Sequence, residues 1–193
     1  MNKNLSKSLL VLGLLVVLPN LASAHILLGT PHGFRDGLLH PLAGWDHLLA
    51  MVAVGLWAAQ HRGRALWLIP LSFVSVMVLG GILGVAGVRV PGVELAIAIS
   101  VLTLGGLVAT MTRFQPSLSM AVVGLFALFH GYAHGHEMPV AASALPFSVG
   151  FVLATAFLHG VGLAAGLWFQ EQPRVLRWAG AAIAASSICF FVS

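Results

Sequence analysis

Six apolar stretches, at approximately 37–59, 65–88, 93–112, 118–136, 145–169 and 175–192, constrain what this chain can fold into more than any other feature. Each is close to the roughly 20 residues that a helix needs to cross the hydrocarbon core of a bilayer. Lipid offers no water to a backbone N–H or C=O, so runs of this length must satisfy those groups internally, as helices do. Only 7% of the 193 residues are Asp, Glu, Lys or Arg, and the mean hydropathy is +1.00; soluble domains carry about 25% charge. The fold class that follows is all-α and integral to the membrane, a compact bundle of six transmembrane helices.

The breaks between the stretches are short and hold charges or helix breakers: His61-Arg62-Gly63-Arg64, Arg89-Val90-Pro91-Gly92, Arg113-Phe114-Gln115-Pro116, Gly135 to Leu145, and Gln170 to Arg174. Ahead of them, Lys3 and Lys7 precede an apolar run from Leu9 to Leu18 and the small-residue triplet Ala22-Ser23-Ala24. That is the pattern of a secretory signal, too short to span comfortably. The expected organisation is a signal peptide over residues 1–24 and a six-helix domain over 25–193, with cleavage after Ala24 leaving His25 as the mature amino terminus outside the cytoplasm. The arginines agree with this orientation. Arg62, Arg64, Arg113, Arg174 and Arg177 fall on the side that the signal makes cytoplasmic, and Arg35 and Arg89 fall outside, as the positive-inside rule requires. Both mature termini are expected outside.

Several function classes drop out. The sequence pI of 10.3 comes from nine basic against five acidic residues, scattered in short loops with no cluster to follow a phosphate backbone. No nucleotide-binding motif appears. The single cysteine, Cys189, excludes a disulfide framework and any multi-cysteine metal site, and is read as packing. Small residues recur four apart at Gly80/Gly84, Gly131/Gly135 and Gly162/Gly166; in lipid such pairs let helix backbones approach closely. The partner that composition guarantees is the bilayer, and oligomeric state is not legible.

Against this hydrocarbon background the ionisable groups stand out. His40-Pro41-Leu42-Ala43-Gly44-Trp45-Asp46-His47 opens the first apolar stretch. A charged side chain at the bilayer centre costs about 2.5–3.5 kcal/mol even on the mildest scale, so intramembrane Asp and His are functional candidates by default. Read as one helix, the stretch puts His40 and His47 two turns apart on one face, with Asp46 about 100° round, as a co-ligand or as a partner to a neighbour's imidazole. In the fourth stretch His130 and His134 are four apart and share a face, the spacing at which a helix chelates a divalent ion, and Glu137 extends that stripe. His159 lies mid-way along the fifth. With the expected topology, the polar groups of the first and fourth stretches fall in the same outer half of the membrane, with His159 beneath. His32, His61 and His136 fall in loops or at interfaces, where solvation is the plain reading. Glu94 starts a helix, where a carboxylate complements the dipole, and Met51, Met77, Met111 and Met120 are read as packing.

Imidazole and carboxylate without thiolate suit Ni²⁺, Co²⁺, Zn²⁺ or Cu²⁺ rather than Cu⁺ or Ca²⁺. A helical bundle with such a cluster can pass an ion across, use a fixed zinc to hydrolyse a substrate, or hold haem between histidines for electron transfer. Against the hydrolase, His136-Glu137 is not followed by the second histidine of an H-E-x-x-H motif; against haem, bis-histidine ligation has no need of Asp46.

Three motifs now carry a resemblance. His40-Pro41-x-x-Gly44-x-Asp46-His47 with Met51, His130-Gly131-x-Ala133-His134-Gly135-x-Glu137-x-Pro139, and Gly150-Phe151-x-x-Ala154-Thr155-x-x-Leu158-His159 together resemble the HupE/UreJ family of bacterial nickel and cobalt permeases. The resemblance spans essentially the whole chain. It implies a transporter rather than an enzyme, in the bacterial inner membrane, that takes up Ni²⁺ or Co²⁺ as cargo without a prosthetic group or nucleotide. The expected route starts with capture by His25, whose free amino group adds a second donor, with His32 and His40. The ion passes to a central site of Asp46, His47, His130 and His134, with Glu137 toward the surface and His159 as a lower station or hydrogen-bond partner.

Overall fold

The computed structural model describes residues 33–138 and 143–192. Seven helices make up the described residues: α1 (Gly33–Ala43), α2 (Trp45–Ala59), α3 (Ala65–Val85), α4 (Val93–Thr110), α5 (Pro116–Glu137), α6 (Ala144–Trp168) and α7 (Pro173–Val192). Helices α3 to α6 are each long and apolar enough to cross a membrane. The expected signal peptide, His25 and His32 lie outside the described residues.

The first apolar stretch departs from expectation. It is not one helix but two, α1 and α2, which meet at Gly44 with a bend of 83° and are long enough to cross a membrane only together. The local cause is legible. Pro41 lies inside α1 and has no N–H to continue the helical ladder. Gly44 then takes an extended conformation (φ −101°, ψ 120°) as the N-cap residue of α2. Asp46 follows in the first turn, where its Oδ1 accepts the backbone N–H of His47 at 2.8 Å. That satisfies one of the N–H groups a helix start leaves open and places a carboxylate at the positive end of the dipole.

Helix α2 is the centre of the molecule. Ala50, Met51, Ala53, Val54 and Trp57 are completely buried, because α3, α4, α6 and α7 all pack around it. Outside this core, α3 runs along α5, α4 along α7, and α6 along α1 and α2. The glycine pairs do what their spacing implies. A side chain at Gly131 would overlap the carbonyl of Met77, and one at Gly135 that of Gly81, so α3 and α5 touch backbone to backbone. Gly162 meets the Val52 carbonyl of α2 in the same way. Facing away from the core, Leu71, Leu79, Ile82, Leu145, Phe157 and Trp178 are exposed, an apolar perimeter that suits lipid.

The two ends of the bundle differ. At one end the ring N–H of Trp57 donates to the Thr112 carbonyl at 2.7 Å, the Gln60 amide to the Val108 carbonyl at 3.1 Å, and Arg113 to the Gln60 carbonyl at 3.2 Å. His61 sits among them, against expectation. It is buried rather than solvated, with Nδ1 at 3.0 Å from the Trp57 carbonyl and Nε2 at 3.0 Å from Ser119 Oγ. At the opposite end Tyr132 donates its hydroxyl to the Val88 carbonyl at 2.6 Å. Arg62, Arg64 and Arg113 thus share one end of the bundle, and Arg89 and Glu137 the other.

Candidate metal centre

The bend at Gly44 brings His40 and His47 toward the same stripe of α5, although not as neighbours on one helical face. His40 and His134 have ring centroids 4.8 Å apart, His134 and His47 4.1 Å, and His47 and His130 4.8 Å. His130 and His134, one turn apart on α5, form the spine of this ladder; α1 and α2 each lend it one ring. Glu137, the next turn of the stripe, lies with Oε2 3.5 Å from His40 Nε2. Donor atoms of His40, His134 and Glu137 all lie within 4.8 Å of one another, a separation that one ion can close with small side-chain movements.

Burial separates the mouth from the rest of the ladder. The Glu137 and His40 side chains are 53% and 28% exposed, whereas His134, His47 and His130 are exposed by only 5%, 8% and 0%. The mouth offers carboxylate and imidazole; the depth offers imidazole alone.

The hydrogen bonds decide which nitrogens face the ladder. Asp46 Oδ1 lies 2.7 Å from His47 Nδ1, and a carboxylate can only accept, so Nδ1 carries the proton and Nε2 the lone pair. His130 Nε2 lies 2.8 Å from Ser100 Oγ. His47 Nε2, His130 Nδ1 and both nitrogens of His134 are buried with no hydrogen-bond partner among the described residues. A buried polar atom left unpaired costs about 1–3 kcal/mol; these four atoms lie on the ladder rings, where bare imidazole nitrogens suit a borderline divalent ion, and both nitrogens of His159 are unpaired in the same way.

Of the residues singled out in the sequence, His40, His47, His130, His134 and Glu137 come together here. Asp46 is beside them, but its bond goes to the adjacent His47, so it orients an imidazole. His159 stands apart. Its ring is buried on α6 and packs on Phe73 of α3 at 5.0 Å, while Phe73 also meets His130 at 5.8 Å; it shares a phenyl neighbour with the ladder but makes no ring contact with it among the described residues. Glu94 begins α4 and is exposed, as a dipole partner should be. His136 is exposed and stacks on Tyr132. Met51 and Met77 are core residues, whereas Cys189, expected as packing, is exposed.

Sequence reasoning missed Ser100 and Phe73. Neither carries a local signal: a serine in a transmembrane helix commonly bonds its own backbone, and a phenylalanine in an apolar run is ordinary. A cavity of about 490 Å³ between α3, α5 and α6 reaches His134 from the side, but its other walls, among them Val78, Ile82, Phe147 and Phe151, are hydrocarbon and unsuited to conducting an ion.

Comparison with known proteins identifies the family. The family model described as HupE / UreJ protein matches residues 12–190. Protein HupE from Rhizobium leguminosarum bv. viciae is 44% identical over 179 residues, covering 92% of this chain and 93% of that protein. No solved structure matches. With a match over nearly the whole chain and a long, closely related homologue, the chain belongs to the HupE/UreJ family of multi-pass membrane proteins.

Proposed function

We propose that the protein is a secondary permease that takes up Ni²⁺ or Co²⁺ across the bacterial inner membrane along the histidine ladder. In this reading the signal peptide is removed after Ala24. Helices α1 and α2 form one broken span, α3 to α6 four more and α7 the sixth, with both mature ends periplasmic. The arginine-bearing end closed by Trp57, Gln60 and His61 is cytoplasmic, and the Glu137 end faces the periplasm.

The observation that carries the proposal is the unbroken run of ring contacts from the partly exposed His40 through the buried His134 and His47 to His130. A hydrated ion captured at Glu137, His40 and His134, with His25 and His32 as further donors, exchanges water for nitrogen as it moves inward. His134 touches both His40 and His47, so the ion passes between two overlapping sites without being released into hydrocarbon. Stations that share a ligand are individually incomplete, which keeps the ion weakly enough held to leave. Phe73 and the hydrogen-bonded cytoplasmic end close the path below, so the arrangement is outward-facing, with His159 the next imidazole inward.

The same contacts argue against haem. Imidazoles in direct contact leave no room for a macrocycle between them. A zinc hydrolase reading predicts tightly held stoichiometric metal in the purified protein; the permease reading predicts exchangeable metal.

The test is accumulation of nickel, cobalt and zinc in cells lacking other uptake systems. Expression of the wild type should raise nickel or cobalt, and His134→Ala should return both to background. Accumulation by His134→Ala at the wild-type level, with equal protein in the membrane, overturns the proposal.

A further inference from the structure

Ser100 lies on α4, has no exposed surface, and belongs to none of the motifs the sequence points to. Its hydroxyl makes two close contacts: 2.6 Å to the Ile97 carbonyl one turn back and 2.8 Å to His130 Nε2. A hydroxyl has one proton and a carbonyl can only accept. The proton therefore goes to Ile97, and the oxygen presents a lone pair to His130. A lone pair there requires an N–H on Nε2, which leaves Nδ1 as the bare nitrogen, and Nδ1 is the buried, unpaired atom of that ring.

We propose that Ser100 is a positioning residue for the metal site: it locks His130 in the Nε2–H tautomer so that Nδ1 faces the ladder. This rests on the permease reading. Asp46 holds His47 in the opposite tautomer, Nδ1–H with Nε2 bare. The two rings, 4.8 Å apart by centroid, are thereby set as complementary ligands, one through Nε2 and one through Nδ1. Metal-bound histidines almost always have the second nitrogen anchored in this way, and losing the anchor typically weakens metal binding about 10–100-fold. A serine present only to bond its own helix has no such effect, because the carbonyl it serves already accepts a helical N–H.

The experiment uses the full chain purified into lipid nanodiscs, with ¹⁵N-histidine labelling and His130→Gln to assign the His130 signals. In the metal-free wild type, Nε2 should be the protonated and Nδ1 the bare nitrogen. Ser100→Ala should give mixed tautomers and bind Ni²⁺ about 10–100-fold more weakly, with helix content unchanged. Ser100→Thr keeps the hydroxyl and should restore both. A wild-type His130 protonated on Nδ1, or Ni²⁺ affinity in Ser100→Ala equal to wild type, overturns the proposal. Because the tautomer is read without metal, the two readings fail separately. A wild type that accumulates no nickel or cobalt but shows the assigned tautomer, lost in Ser100→Ala and kept in Ser100→Thr, overturns the permease and supports the positioning role.

Discussion

At the scale of single residues, the centre is a division of labour among groups that look alike in the sequence. Asp46 has the charge to bind a cation but spends one oxygen on both the backbone and the ring of His47. Asp46→Asn keeps an acceptor for the helix start but not the charge that anchors the imidazole, so nickel affinity should fall about 10–100-fold with little change in thermal stability. Asp46→Ala also removes the backbone acceptor and should lose about 1 kcal/mol of stability in addition. Titration calorimetry and thermal unfolding of the two variants separate these effects; equal nickel affinity in Asp46→Asn and wild type would remove Asp46 from the centre. A proton and a metal ion compete for an imidazole lone pair, since only the neutral ring offers one. Uptake measured from pH 8 to pH 5 at constant membrane potential should therefore fall as the medium acidifies, and a flat profile would argue against histidine ligation.

At the scale of elements, the bend between α1 and α2 does what a continuous helix cannot. A straight helix would set His40 and His47 two turns apart along one line, about 10 Å at 1.5 Å per residue. With the axis turned through 83°, both rings reach His134. Gly44 is the permissive position, for reasons of space rather than backbone angle: its φ is ordinary, but an added Cβ would come within 2.8 Å of Asp46 Oδ1 and 3.0 Å of His47 Nδ1. Gly44→Ala should force that pair apart and reduce nickel binding while leaving total helix content, by circular dichroism, unchanged. Unaltered binding would show that the pair tolerates the crowding. The α3–α5 contact is stricter, because the atom that a side chain at Gly131 would strike is backbone. Gly131→Val should separate the two helices and cost about 1–3 kcal/mol or more, seen as a lower unfolding midpoint, since neither partner can rotate away.

At the scale of the whole molecule, the closed end and the ladder make opposite demands. In the permease reading, the hydrogen bonds that gather Trp57, Gln60, His61 and Arg113 against α4 and α5 must part when the ion leaves. Ser119→Ala removes the partner of the buried His61 Nε2, a loss of about 1–3 kcal/mol for an unsatisfied group. The variant should unfold at lower temperature, and thiol labelling of a cysteine placed at the buried Val108, in a background lacking Cys189, should become faster. Labelling at the wild-type rate would show that this contact does not hold the end shut. Arg62 and Arg64 are exposed at the Trp57 end, and Glu137 lies at the other end with Arg89.

What the amino-acid sequence determines by itself is whatever one-dimensional physics dictates. Spanning length, hydrocarbon content and breaker residues specify apolar helices with boundaries within a few residues of those observed for 65–85, 93–110 and 116–137. The i, i+4, i+7 spacing of His130, His134 and Glu137 places them on one stripe, and that stripe holds. Periodicity fails at Gly44, where a proline, a glycine and an aspartate turn the chain and the helical register of His40 to His47 no longer applies. It is silent on His61, which reads as a loop residue until α5 closes over it. Above all it cannot assign Ser100 to His130, thirty positions away, or bring Phe73 against both His130 and His159. A proton on one imidazole nitrogen is chosen by the atom opposite it, and only the packing of α4 against α5 decides which atom that is.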